Sequence, residues 1–511
     1  MSITLNAQDK KTIRTALLCC AFFALSTYGY RMFSLGFVHD SLLIAQKEDT
    51  VYKIGIGRFL EPAYWWIRGG IAAPSVVALF LFAFLSLSVI VVLLTLRLRS
   101  TAAVVMVSGA MFSASAMLCE AAAFVNYADS CALALLLAVA GIALSARSMR
   151  MFPFGIVCVC LSLGLYQAYV QAGVVFALIL LVDRLLEGEN PRAVFFLGLR
   201  LLTTIVLGLM LYAACLLAVL KTTQIGLGHS YNGLASVGDY SGGASIAALV
   251  RAAYLAAFEH LTSAQSISRA TTVACQGLLA AISALCVFKL CFRRICRSGA
   301  LLLVLALLLI PFGMSFVLLI SKGLLHRLMT YAYTLAYVLV AVIVERFAER
   351  PFHRAPQLAR AARPAAAALT AVLLLQNISL ANQLYLKGYL EDQATLSAMT
   401  RVLEDADGVE GYVPGETPVV IIGSLSDSAI AMERPGFSTV SSMFGMEFAY
   451  STTYEATHIW YFAQSLGYPI ALVSDAQRLE YVYAGFKDRL PAYPADGYCA
   501  MIDGKLFIRL S

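Results

Sequence analysis

Long apolar runs alternate with short polar intervals over roughly the first three quarters of the chain, and a spanning helix needs about 20 mostly apolar residues. On that rule the pattern predicts eleven spans, near 15–35, 75–96, 101–119, 129–146, 154–168, 170–187, 195–220, 271–292, 299–320, 328–346 and 364–383. After the last of these the pattern changes. A helix is expected to run out of the apolar region to about Asp407, and Gly408 to Gly415 breaks it. TPVVIIGS then reads as a short buried strand, TYEATHIWYFAQSLG as a helix ending at Gly467, and YCAMIDGKLFIRL as a hairpin turning at Asp503-Gly504. The expected fold is an α-helical polytopic membrane protein of about 11 transmembrane helices over residues 1–383, with outside loops 36–74 and 221–268. Residues 384–511 are expected to form a helix and a small extracytoplasmic α/β domain.

Composition removes the soluble alternatives. With 511 residues, 60% hydrophobic and 13% charged, the chain has too little polar surface to cover a water-soluble body of this size. The net charge of +7 raises the question of nucleic acid. The basic residues, however, sit in short clusters between apolar segments, as topology signals do, so no nucleic-acid partner is expected. Nearly all of the 12 cysteines fall inside apolar segments and match neither a zinc-site spacing nor a disulfide framework. Lys10, Lys11 and Arg14 ahead of an apolar run resemble a signal peptide, but the run continues to about Tyr30 without a small-residue cleavage site and reads as a retained first span.

Charge then orients the spans. With the N-terminus inside, the inside turns hold Lys10, Lys11 and Arg14; Arg97 and Arg99; Arg147 and Arg150; Arg184 and Arg192; Lys289, Arg293, Arg294 and Arg297; and Arg346, Arg350, Arg354, Arg360 and Arg363. The acids Asp40, Glu48, Asp49, Glu61, Glu120, Asp129, Asp239 and Glu259 all fall outside, and by parity so does the C-terminal domain. The expected location is a cell membrane, crossed many times, with the N-terminus inside. Residues 154–187 are short for two crossings of about 30 Å, and one span there would invert everything downstream. Two short spans keep the basic clusters inside. Their turn, Tyr166-Gln167-Ala168-Tyr169, is then recessed in the membrane, which protein or a water-filled cavity must surround.

The stretch richest in candidate chemistry is Gly36 to Gly70, where Asp40, Glu48, Asp49, Arg58 and Glu61 interleave with Tyr52, Tyr64, Trp65 and Trp66. No nucleotide-sugar pool exists outside a cell. A glycosyltransferase facing that way needs a lipid-linked donor, a carboxylate to take the acceptor hydroxyl's proton, and cations to hold the departing phosphate. Asp40, a few residues beyond the first span, is the candidate base; partial desolvation at the interface raises a carboxyl pKa toward a useful range. A solvated loop acid is the plain alternative. Glu48 and Asp49, beside Lys47 and Lys53, read as a solvated charge run. Glu120 and Asp129 bracket the Asn126-Tyr127 turn, and either serves equally as a second acid on the substrate or as a helix cap or solvated group.

Arg58 and the pair His326-Arg327 are the phosphate candidates, with snorkelling to headgroups as the competing role for Arg327 and for Lys322. Tyr166 and Gln167 are candidates for hydrogen bonds to a sugar, although a Tyr at a span end also serves as an interface anchor. No Walker loop, HExxH or nucleophile elbow stands in a suitable context, and His39 beside Asp40 is too little to argue a metal, so no cofactor is expected. Between the seventh and eighth spans, ASIAALVRAAYLAAFEHL has apolar residues at helical spacing with Arg251, Glu259 and His260 on its polar side. This predicts an outside helix lying on the membrane or packed on the last domain.

The order of these features resembles the serotype-converting O-antigen glucosyltransferases of Gtr type II, grouped with the GT-C membrane glycosyltransferases. The pieces are VHDSLLIAQ and GIGRFLEPAYWW after the first span, EAAAFVNYADSCALAL, LSLGLYQAYVQAGVVFAL, SYNG with AAYLAAFEHL, HRLMTYAY, and TPVVIIGS after a span carrying QNISLANQLY. The resemblance implies transfer of glucose from undecaprenyl-phosphate glucose to a repeat of a surface polysaccharide, with an essential acid at the position of Asp40 and inversion at the anomeric carbon. The family's usual acidic pair reads His39-Asp40 here. It also implies a membrane-lipid environment and a functional link to a flippase and a polyprenyl-phosphate sugar synthase. A transporter or flippase of lipid-linked saccharides is the alternative, but it should carry internal repeats and mid-membrane charges, and neither is clear.

Overall fold

A computed structural model describes residues 6–33, 41–42, 49–70, 73–113, 117, 125–228, 245–262, 268–320, 325–349, 356–440, 449–450, 453 and 456–511. His39, Asp40, Glu48, Glu120 and Lys322 lie outside them. The helices are α1 (Ala7–Phe33), α2 (Thr50–Gly55), α3 (Glu61–Ile67), α4 (Pro74–Thr95), α5 (Thr101–Phe112), α6 (Ala128–Arg147), α7 (Phe152–Leu165), α8 (Val170–Glu187) and α9 (Pro191–Thr223). They continue with α10 (Ile246–Thr262), α11 (Arg269–Arg294), α12 (Arg297–Ser315), α13 (Val317–Ile320), α14 (Leu335–Ala348), α15 (Pro356–Asp407), α16 (Ala456–Ser465) and α17 (Asp475–Tyr483).

Local chemistry sets many of these ends. Ser100 caps α5 by accepting from the Ala103 amide, Asn190 caps α9 ahead of Pro191, and Gly188 closes α8 in the left-handed conformation. Nine helices among the described residues are long and apolar enough to cross a membrane. The chain is a polytopic membrane protein. Each predicted span falls on a helix, but α5 and α7 are short, at 12 and 14 residues.

Side-chain contacts order the bundle's two ends. At one end Asp9 pairs with Arg99 at 2.9 Å, Ser100 and Arg363 both reach Glu345 at 2.7 and 3.0 Å, and Arg346 reaches Asp183 at 2.7 Å and the Leu96 carbonyl at 2.6 Å. These contacts draw together the start of α1, the α4–α5 turn, the end of α8, the end of α14 and the start of α15. Further along, α1 and α15 run side by side in the same direction: Asn382 donates to the Ser26 carbonyl at 3.0 Å, Tyr28 and Tyr385 lie 6.5 Å apart, Tyr30 and Tyr389 6.3 Å apart, and Arg31 feels the charge of Asp392. The described residues of 41–70 and of 408–511 therefore share the opposite end.

With 52 residues, α15 is about 78 Å long, more than twice a hydrocarbon core, so its outer half stands clear of the bundle. On it sits a four-stranded sheet, β1 (Pro418–Ile422), β2 (Ala471–Leu472), β3 (Cys499–Ile502) and β4 (Lys505–Arg509), ordered β2-β1-β4-β3. β1 pairs in parallel with β2 and β4, while β3 and β4 form the hairpin whose turn, Asp503-Gly504, takes positive φ at both residues. Alternation along the strands separates two cores. Val419, Ile421, Leu506 and Ile508 pack with α15 and α16, whereas Val420, Ile422 and Phe507 pack with Phe486 and Leu490.

One expectation needs correcting. α10, expected on the membrane or on the last domain, packs among the described residues along the spanning helix α12 and against α11 and α13. Tyr254 donates to the Leu308 carbonyl within α12 at 2.8 Å, and His260 stacks on Tyr333 at 4.4 Å. Arg251 and Glu259 keep the exposed side.

Candidate active site

At about 1.5 Å per residue, α5 and α7 rise about 18 and 21 Å, short of the roughly 30 Å core. Both therefore end inside the membrane's depth, where the last carbonyls of a helix need partners. Tyr28 donates to the Phe112 carbonyl at 2.7 Å and Tyr331 to the Met111 carbonyl at 2.8 Å, closing α5. The Leu60 amide donates to the Gly164 carbonyl at 3.0 Å, closing α7. Gly164 permits that approach, since a Cβ there would stand 2.8 Å from Leu60 Cδ1. The described part of the first loop thus sits in the recess above the shortened helix α7.

The recessed turn behaves as its position demands. Gln167 donates to the Ile56 carbonyl at 2.9 Å and to the Tyr212 hydroxyl at 3.1 Å, and Tyr212 donates to the Gly57 carbonyl at 3.0 Å. Arg58 lies over the Tyr166 ring, 4.3 Å from its centroid. The rings of Tyr166, Tyr169 and Tyr331 follow one another at 5.4 and 5.5 Å, linking the loop to the segment that His326 and Arg327 begin. Burial, with the charge of Arg327 added to it, lowers the pKa of the His260 imidazole to about 4.

Charged groups on the same loop are buried in pairs. Lys53 Nζ stands 3.2 Å from Glu61 Oε2 and 3.3 Å from the centre of the Tyr127 ring. Arg58 approaches the same carboxylate oxygen at 3.9 Å, and Ser130 donates to Oε1 at 3.4 Å. Both cations thus approach one carboxylate in a site sheltered from water. Alongside, Arg68 pairs with Asp129, which also accepts from Tyr64 at 2.7 Å and from its own neighbour's amide at 3.0 Å. Arg68 stacks on Trp65 at 4.5 Å. Burial and the Asp129 carboxylate together push the Tyr64 phenol well above its ordinary range.

Arg58, Asp129, Tyr166 and Gln167 are therefore brought together around the first loop, and Asn126, itself buried, flanks them on the segment leading into α6. Asp129 is held in a buried ion pair on α6 rather than standing at a solvated cap. Lys53 departs from its expected solvated face: it is 4% exposed, because α2 turns it toward Glu61. Asp49 does stay exposed, as the cap that accepts from the Tyr52 amide. Glu61 and Tyr64 are named as members of the Gly36 to Gly70 stretch with no role, and Lys53 and Arg68 are not candidates; the i,i+3 spacing of Arg58 and Glu61 inside an aromatic run was the available signal. Among the described residues no three metal-ligating side chains gather.

The buried cations, aromatic rings and amide groups gathered here are of the kinds that hold an anionic, sugar-bearing ligand. No curated protein and no solved structure matches the chain. The family model for the glucosyl transferase GtrII matches residues 29–344, more than half of the chain and the part that holds this site. The chain belongs to the GtrII glucosyl transferase family.

Proposed function

We propose that this glucosyltransferase works on the extracytoplasmic side of a bacterial inner membrane, moving glucose from a polyprenyl-phosphate carrier to a surface polysaccharide such as an O-antigen repeat, with Asp40 as the base. The observation that carries this reading is the buried Lys53–Glu61–Arg58 cluster beside the end of α7. Lys53 and Arg58 are the cations for the donor phosphate, and Glu61 holds them in place. Arg327 is a further phosphate contact. Tyr166, Gln167, Asn126 and Asp129 line the sugar side, with Glu120 as a second acid.

In this mechanism the Asp40 carboxylate takes the proton of an acceptor hydroxyl as its oxygen bonds to the anomeric carbon. The bond from that carbon to the phosphate oxygen breaks, its electron pair leaves with the phosphate, and configuration inverts. No metal is required for the balance. A flippase and a polyprenyl-phosphate sugar synthase would supply the donor. The test is incubation of purified protein with polyprenyl-phosphate glucose and candidate surface glycans: a glucosylated glycan supports the reading, and donor translocation without any product favours a transporter instead.

A further inference from the structure

Two consecutive residues of the first loop are fixed in different parts of the molecule. Leu42 is 1% exposed and belongs to the core formed by Ala398, Met399 and Val402 of α15 with Val419 and Leu506 of the sheet. Every other described residue buried in that core lies at 398 or beyond. Ser41 is fully buried, and its hydroxyl accepts from the Val125 amide at 3.3 Å, on the segment leading into α6. The C-terminal unit thus grips the first loop through one leucine, and the membrane bundle grips it through the adjoining serine.

We propose that Leu42 is a positioning residue for sugar transfer, and that its seat in the C-terminal core makes that unit a working part of the active site. This rests on Asp40 being the base, because Asp40 is the residue joined to Ser41. A base acts only from within hydrogen-bond reach of the hydroxyl it deprotonates, and small displacements are costly to rate. With Leu42 seated and Ser41 tied to Val125, these two residues are held in place. Opening the seat lets that stretch move without touching any group that contacts substrate.

The test compares full-length Leu42→Ala and Leu42→Met in detergent or nanodiscs, with activity counted per folded molecule. Leu42→Ala is expected to lower kcat about 10-fold and leave the donor KM within about 2-fold, and Leu42→Met to restore most of the rate. Wild-type kcat in Leu42→Ala overturns the proposal. So does a kcat that Leu42→Met fails to restore. Should Leu42→Ala not fold, Met399→Ala opens the same core from α15, and an undiminished kcat there overturns it equally. Asp40→Asn is assayed in parallel: an active Asp40→Asn defeats the assignment of the base, whereas an inactive one beside a fully active Leu42→Ala defeats the seat alone.

Discussion

The ammonium of Lys53 stands 3.2 Å from the Glu61 carboxylate, and both side chains are withdrawn from solvent. Removing one member of such a pair leaves the other as an uncompensated buried charge, which costs about 3–5 kcal/mol. Glu61→Ala should therefore lower the melting temperature of the purified protein clearly, because it removes the carboxylate that Lys53 and Arg58 both approach. Lys53→Met removes a charged donor from the proposed phosphate site. Its donor KM should rise about 10- to 100-fold, the worth of about 1.5–3 kcal/mol for a hydrogen bond to a charged group, and a donor titration at saturating acceptor measures it. An unchanged donor KM would take Lys53 out of the phosphate site.

A second pair distinguishes site from scaffold. Arg346 ties Asp183 and the Leu96 carbonyl together at the end of the bundle away from the recess. Arg346→Ala should cost about 3–5 kcal/mol and reduce the yield of folded protein, yet leave the turnover of each folded molecule as in the wild type. Arg68→Ala strands Asp129 beside the recess, so it should lose both stability and turnover. Melting curves together with activity per folded molecule separate the two. Equal turnover losses would deny the recess its special place.

The division between what the sequence disclosed and what it concealed follows from the range of each interaction. Spans, caps and the Asp503-Gly504 hairpin are written in neighbouring residues, through apolar length, an Asn or Ser before a helix, and a turn that needs positive φ. The recess was half visible, since 154–187 was too short for two full crossings and the turn at Tyr166 had to be sheltered. Hidden entirely were contacts between residues far apart in the chain. Arg68 with Asp129, Tyr64 with Asp129, and Leu42 within a core of residues beyond 398 leave no local trace. Lys53 deceived for a related reason: lysine in a polar interval looks solvated until the helix carrying it turns it onto a carboxylate. α10 deceived through its amphipathic spacing, which fits a membrane surface and a helix-helix contact alike.

Sidedness has its own test, because native cysteines differ in reactivity. Cys296, ahead of α12 at the expected cytoplasmic end, is exposed, and hydrogen bonds from the Ser298 hydroxyl and the Gly299 backbone lower its pKa. Cys499 in β3 is half-buried and its thiol is pushed up to about 12 by burial, so it should react slowly throughout. A membrane-impermeant maleimide is expected to spare Cys296 in intact spheroplasts and label it after permeabilisation. The Tyr483→Cys variant, replacing a side chain that is 84% exposed on α17, should label without permeabilisation. The reverse pattern would put the first loop in the cytoplasm and remove the lipid-linked donor from its reach.

Transfer itself is the most direct measurement. Purified wild-type protein and Asp40→Asn, matched for folded amount, are each given polyprenyl-phosphate glucose carrying labelled glucose together with a surface-glycan acceptor. The wild type should glucosylate the acceptor, and Asp40→Asn should fall by about 10²–10⁴-fold, the usual worth of a positioned general base. Asp40→Asn transferring at the wild-type rate, or wild-type protein forming no glucosylated glycan from that donor, would contradict the account.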